Sequence, residues 1–344
     1  MPSSLAAQNV AQHLLLSLLP VVAFLFGLCL LDSYRLVRPG AVVVSVGLGV
    51  VMALAALAIL RTVAAAGGWT QYRYSSLGGP AVEETLKFGY MAALIASKRA
   101  GFMIDAAIHG VAVGAGFAIV ENVLFLSGAD ASLAVSAFRG FGTAIMHGGT
   151  AALAGIVAMR FAEVRGAGSG AGLLIGFATA LSIHVLYNQA IAFPAAAAAG
   201  AMIVLPITII LFFREGQVAI RRWLGVGFDT DAELLEMVSG GQIGGSRIGT
   251  YLCSMRERYP AAIVADMFCL LRLRIELSIR AKGILIMRQA GFEPPRDPEL
   301  GEKFGEIRHL EKSVGTAGLL AMQPLLRWRD KDLWEINMLT RRRT

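Results

Sequence analysis

The chain has 344 residues, 56% of them hydrophobic, and a mean hydropathy of +0.63. That much apolar side chain excludes an ordinary soluble globular protein, which would keep too little polar surface for water. The net charge of +7 does not point to nucleic acid, because excess Lys and Arg on the cytoplasmic side is the ordinary source of a basic membrane protein, and the aromatic-basic interleaving of RNA-binding modules is missing.

A hydrocarbon core of about 30 Å needs about 20 helical residues. Seven stretches meet that need: about 11–31, 41–66, 81–97, 101–127, 132–159, 170–193 and 195–213. The third is short and starts polar. Only Phe193-Pro194 divides the last two, which requires a tight hairpin. Gly is abundant, at 39 residues, and small residues suit close helix packing in lipid. The charge is uneven: residues 1–213 hold 7 acids and 10 bases, and the other 17 acids and 21 bases follow. The expected architecture is therefore all-α: a polytopic bundle of about seven transmembrane helices over residues 1–213, then a helical, cytoplasmic domain over 214–344. In that tail, Phe228-Asp229-Thr230-Asp231 reads as a helix start, 261–289 has helical periodicity, and Gly240–Gly245 and Pro294-Pro295 act as breakers. No catalytic motif is found there, so a regulatory or protein-binding role is expected.

The first stretch lacks the positive n-region of a signal peptide, since residues 1–12 hold no Lys or Arg. An N-terminus outside the cell puts Arg35, Arg38, Lys98, Arg99, Arg160, Arg165 and the start of the tail on the cytoplasmic side, as the positive-inside rule asks. The three cysteines, Cys29, Cys253 and Cys269, show no CxxC spacing and are expected to be reduced thiols.

Ionisable groups inside a bilayer are costly and mark function. Glu83 and Glu84 follow Gly78-Gly79-Pro80, so they read equally as a helix start, where carboxylates favour the positive dipole end, or as a site. Lys87 lies one turn deeper, within reach of either acid. Glu121, beside Asn122, has no base within a turn of its own helix and needs a partner elsewhere. His147 sits mid-helix. His184 and Asn188 share one helix face at i,i+4 spacing. At 1.5 Å per residue, Glu121 lies roughly 9 Å, Asn188 roughly 8 Å and His184 roughly 14 Å from the outer face. His147 lies roughly 12 Å down if the membrane begins near Arg139, and roughly 22 Å if it begins at residue 132. The set forms one layer towards the outer face. Asp105 and His109 lie near the inner end of their helix and read as local partners of each other.

These residues resemble the PrsW family of intramembrane proteases, distantly similar to CAAX-processing endopeptidases. The family's EExxK matches Glu83-Glu84-Thr85-Leu86-Lys87. Its FxxxE matches Phe117 to Glu121. Its HxxxD matches His184 to position 188, where this chain carries Asn. The resemblance covers roughly residues 70–195. It implies hydrolysis of peptide bonds in membrane-anchored proteins, an anti-sigma-factor-like regulator among the possible substrates. Glu83 would be general base, with Glu121 sharing the water. Glu84 would orient Lys87 or a neighbour. His184 and Asn188 would stabilise the oxyanion, and His147 could donate to the site. Lys87, Asn122 and Phe117 would support it. This glutamate reading, with no cofactor, is favoured. A zinc version is open, with Glu121, His147 and His184 as ligands, although no local HExxH spacing exists. The rival readings are a transporter or proton-coupled channel, and an inactive signalling scaffold.

Overall fold

The structure, a computed structural model, describes residues 12, 15, 18–19, 22–67, 70–128, 132–165, 170–190, 193–295, 297–326 and 330–340. Among these residues it is helical, with no strand. Two compact units form, Met1–Gln217 and Val218–Thr344.

The first unit contains α1 (Val22–Leu31) and α2 (Pro39–Ala66). A single turn, α3 (Gln71–Arg73), runs through a π-helical turn (Tyr74–Gly78) into α4 (Gly79–Ala96). Then come α5 (Met103–Gly128), α6 (Leu133–Arg165), α7 (Gly170–Gln189) and α8 (Pro194–Ser239). Among the described residues five helices, α2 and α5 to α8, are long and apolar enough to cross a membrane. The expected third span is α4, an 18-residue helix that carries Glu83, Glu84 and Lys87. The expected first span lies partly outside the described residues.

Small residues set the packing. On α2 the buried stripe is Ser45, Gly49, Ala53, Ala56 and Leu60, spaced three and four apart. A Cβ at Gly49 would stand 2.0 Å from the Val113 carbonyl oxygen, and one at Gly116 would stand 1.9 Å from that of Val46. α2 and α5 therefore touch backbone to backbone, as small residues permit in lipid. The α5–α6 crossing is equally close at Gly110 against Ala152 and Gly114 against Gly148. α5 and α6 are buried along most of their apolar length, whereas α2, α7 and α8 present most of theirs outward. Exposed Leu174, Ile203 and Leu211 are what lipid-facing positions require.

A Cβ at Gly114 would lie 2.3 Å from Gly148 N and 2.4 Å from the His147 carbonyl carbon. Gly114→Ala must push α5 and α6 apart, and is expected to cost about 1–3 kcal/mol, the usual range for overpacking. Thermal unfolding in detergent measures this; an unchanged Tm would contradict the close crossing.

In the second unit the chain continues along α8. It then forms a 3₁₀ turn (Gln242–Gly245), α9 (Arg247–Met255), α10 (Ala261–Gln289), α11 (Leu300–Leu326) and α12 (Asp330–Thr340). The expected helix start at 228–231 is not there, because α8 runs through it to Ser239. Thr230 bonds back to the Val226 carbonyl at 2.8 Å, as a mid-helix hydroxyl does, and Asp231 accepts from Lys282 at 2.6 Å instead of capping a new helix. Helix α8 ends at glycines, with Gly241 in the left-handed region at φ 71°. The core of this unit is α10, through Met267, Leu270, Leu271, Leu277 and Leu285. Lys282 is buried among them, 2.6 Å from Ser278 Oγ and 3.0 Å from Glu335. Burial alone would push its ammonium down. The Glu335 and Asp231 carboxylates outweigh that and hold it above its ordinary value.

Candidate active site

Helix α4 brings the first motif into the bundle. Its helical run begins upstream, at Gln71, and Gly78 is itself right-handed helical at φ −67°, ψ −47°. Glu83 and Glu84 thus do not sit in a free first turn, and the helix-start alternative loses its basis. The π-helical turn before them is a geometry frequently found at functional sites. On α7 the buried positions are Gly172, Gly176, Ala180 and His184, a strict i,i+4 stripe. Its small residues draw α7 against α6, where a Cβ at Gly176 would lie 2.4 Å from the Ala154 carbonyl oxygen. His184 is the last, polar member of that stripe and is carried to α4.

Glu84 is the hub. Its Oε1 accepts from Lys87 Nζ at 2.6 Å and from His184 Nδ1 at 2.7 Å, with Thr150 Oγ1 at 3.3 Å. Lys87 also donates to His147 Nδ1 at 2.8 Å. An ammonium can only donate, so His147 accepts at Nδ1 and carries its proton on Nε2. That proton goes to Glu121 Oε2, 2.9 Å away. His184 is fixed by its carboxylate partner. Its Nδ1 donates to Glu84, so in neutral imidazole Nε2 holds a lone pair. Nε2 faces Glu83 Oε2 at 3.7 Å, and that oxygen is buried without a hydrogen-bond partner. The Phe117 ring lies beneath the cluster, its centroid 5.0 Å from Lys87 Nζ and 4.9 Å from that of the His147 ring.

Exposure separates the two adjacent glutamates. The Glu84, Lys87, His147 and His184 side chains are 0–2% exposed, whereas Glu83 is 12% and Glu121 33% exposed. Of this cluster, Glu83 and Glu121 keep exposed side-chain surface. Glu84 is walled in and already holds three donors.

Six of the expected residues, Glu83, Glu84, Lys87, Glu121, His147 and His184, thus come together from α4, α5, α6 and α7. Asn188 is placed differently: its Nδ2 donates to the Ser75 carbonyl at 3.0 Å, tying α7 to the π-helical turn. Asn122 is buried and donates to the Gly140 carbonyl at 3.2 Å, holding α5 to α6. Asp105 accepts from Gly101 N at 2.8 Å, and His109 Nδ1 lies 2.7 Å from Ser45 Oγ. Thr150 escaped the sequence reading. Its only signal is a hydroxyl three residues after His147, on the same helix face.

The model of the PrsW family, described as intramembrane metalloproteases, matches residues 38–213, more than half of the chain. The chain belongs to the PrsW family. It is a multi-pass membrane protein and an intramembrane peptidase, and its substrates are membrane proteins. No curated protein and no solved structure matches it.

The PrsW family description implies a metal, so the donor set is the test. One ligand atom each from Glu83, His147 and His184 lie within 4.8 Å of one another. Ligand atoms around a tetrahedral zinc stand about 3.4 Å apart, from bonds of roughly 2.0–2.1 Å. The 3.7 Å between Glu83 Oε2 and His184 Nε2 is close to that. The carboxylate of Glu84 behind His184 Nδ1 is the outer partner that metal-bound histidines have. These residues fit a divalent cation, with one demand: His147 must release Lys87, because its one lone pair, on Nδ1, accepts from that ammonium while Nε2 carries the proton.

Proposed function

We propose that this PrsW-family chain hydrolyses a peptide bond of a membrane-anchored protein near the outer face of the membrane, with Glu83 as general base. The observation that carries this reading is the facing pair of Glu83 Oε2 and His184 Nε2, 3.7 Å apart. Both are polar atoms in an apolar bundle, and His184 is held from behind by Glu84. Water between them loses a proton to Glu83 as its oxygen attacks the scissile carbonyl. Glu121, the more exposed carboxylate, orients that water. Glu84, Lys87 and His147 fix the geometry and balance charge where solvent cannot. Asn188 acts through the Ser75 carbonyl, which steadies the turn leading to Glu83, so the oxyanion falls to His184. A ring that carries a proton on each nitrogen gives one to Glu84 and the other to the oxyanion. Glu83 then returns the proton to the leaving amine.

A metal-assisted form of the same reaction is favoured by one observation, the convergence of Glu83, His147 and His184. These three residues would hold the cation, and Glu121 would be left as base. Zinc bound there would polarise the carbonyl and make its water more acidic. Two measurements test this reading. In vesicles containing a membrane-anchored substrate, His184→Ala is expected to lower cleavage at least about 100-fold. Unchanged cleavage would sink the site assignment. Metal analysis of purified protein separates the two forms: stoichiometric zinc that His184→Ala abolishes supports the metal form, and cleavage unaffected by chelation supports the glutamate form.

We read the second unit as a cytoplasmic regulatory or protein-binding appendage, with the N-terminus outside. The charge distribution supports this orientation. Cys253 and Cys269 are exposed on the second unit. An impermeant thiol reagent is expected to label them only after cells are opened; labelling of intact cells would reverse the topology. A signalling regulator with an exposed outer segment is a substrate class suited to an outward-facing site.

A further inference from the structure

A second polar cluster lies further along the helices that carry the site, and none of the three motifs contains it. Ser45 on α2 is fully buried. Its Oγ lies 2.7 Å from Tyr90 Oη on α4, 2.7 Å from His109 Nδ1 on α5 and 2.9 Å from the Ala41 carbonyl. A serine beside a histidine invites a nucleophile reading. Burial rejects it: no surface of Ser45 is open to a substrate, and its one proton and its lone pairs are occupied by three neighbours. What the hydroxyl does is join three helices.

Two of those helices carry catalytic groups. Tyr90 follows Lys87 by three residues, so fixing its ring fixes the turn that holds Lys87 and Glu84. One turn beyond Ser45, a Cβ at Gly49 would stand 2.9 Å from Phe117 N. Phe117 in turn lies under Lys87 and His147. The Ser45 hydroxyl thus bonds α2 to both α4 and α5, and Gly49 packs α2 closely on α5.

We propose that Ser45 is a positioning residue for the proteolytic site: its hydroxyl ties α4 and α5 to α2 and sets the register of Glu83, Glu84 and Lys87 against Glu121. The inference rests on the reaction proposed above. Misplacing a catalytic group by about 1 Å costs up to roughly 100-fold in rate, with substrate contacts intact.

The test uses the full-length protein in vesicles, with Ser45→Ala, Tyr90→Phe and the control Leu60→Ala. Leu60 is a buried residue of the same helix, outside the cluster. Ser45→Ala and Tyr90→Phe are expected to lower kcat at least about tenfold, with KM within about twofold. Leu60→Ala is expected to lower Tm at least as much and to leave kcat within about twofold. Hydrogen exchange supplies a readout that needs no substrate: Ser45→Ala is expected to speed exchange of α4 amides over 83–90 and to leave α6 unchanged. Unchanged kcat, a kcat loss matched by Leu60→Ala, or unchanged α4 exchange would each overturn the proposal. If Glu83→Gln cleaves as well as wild type, the proposed reaction fails instead, and α4 exchange alone decides whether Ser45 sets the register.

Discussion

Glu83→Gln is expected to lower the cleavage rate by about 10²–10⁴-fold, the usual contribution of a general base, with little change in stability. The substitution keeps the shape and removes the proton acceptor. Little stability is at stake because Glu83 Oε2 has no hydrogen-bond partner to lose and only a long contact, 3.7 Å, to His184 Nε2. Glu84→Gln should behave differently. Its Oε1 accepts from Lys87 and His184, so that variant loses structure as well as rate. Thermal unfolding beside the activity assay distinguishes the two glutamates. If Glu83→Gln lost stability and Glu84→Gln did not, their roles would be exchanged.

Lys87→Met is expected to destabilise the protein by about 3–5 kcal/mol, because removing one member of a buried ion pair strands the other. Lys87 and Glu84 are 0% and 1% exposed, and the bond between them is 2.6 Å. Without the ammonium, Glu84 keeps only Thr150 and His184, and His147 Nδ1 loses its donor. The double variant Glu84→Gln/Lys87→Met removes both charges and is expected to regain much of that stability, since a neutral pair is no longer stranded. It should not regain activity, because His184 then lacks the carboxylate that aims it. Lys87→Arg is no substitute: a planar fork cannot replace a point charge that reaches both Glu84 and His147. Denaturant or thermal unfolding of all four proteins makes the comparison. A Lys87→Met protein as stable as wild type would refute the charge balance described for the site.

Much of this was legible in the sequence, for identifiable reasons. Apolar helices long enough to cross a bilayer declare themselves by composition, and a Glu or His inside one stands out because lipid offers it no water. That exposed Glu121, His147 and His184 as residues needing partners. Which partners they take was not legible. The Glu84–His184 bond joins residues 100 apart and the Lys87–His147 bond residues 60 apart, and only tertiary packing decides such pairs. Thr150 was silent because a hydroxyl in an apolar helix can satisfy itself on its own backbone, as Thr179 does on Ile175. Asn188 looked like a second catalytic group on the His184 face; a backbone carbonyl of the π-helical turn, which no local pattern announces, claims its amide. The Asp-rich stretch at 228–231 carried the marks of a helix start. Acids favour that position without enforcing it, and no Pro or left-handed Gly interrupts α8 there.

The most direct test of the account compares membrane proteomes of cells carrying wild-type protein with those carrying Glu83→Gln. At least one membrane-anchored protein is expected to accumulate intact with Glu83→Gln and to be shortened with wild type, cut in a segment near the outer face. Proteomes with no tethered species that differs between the two would contradict it.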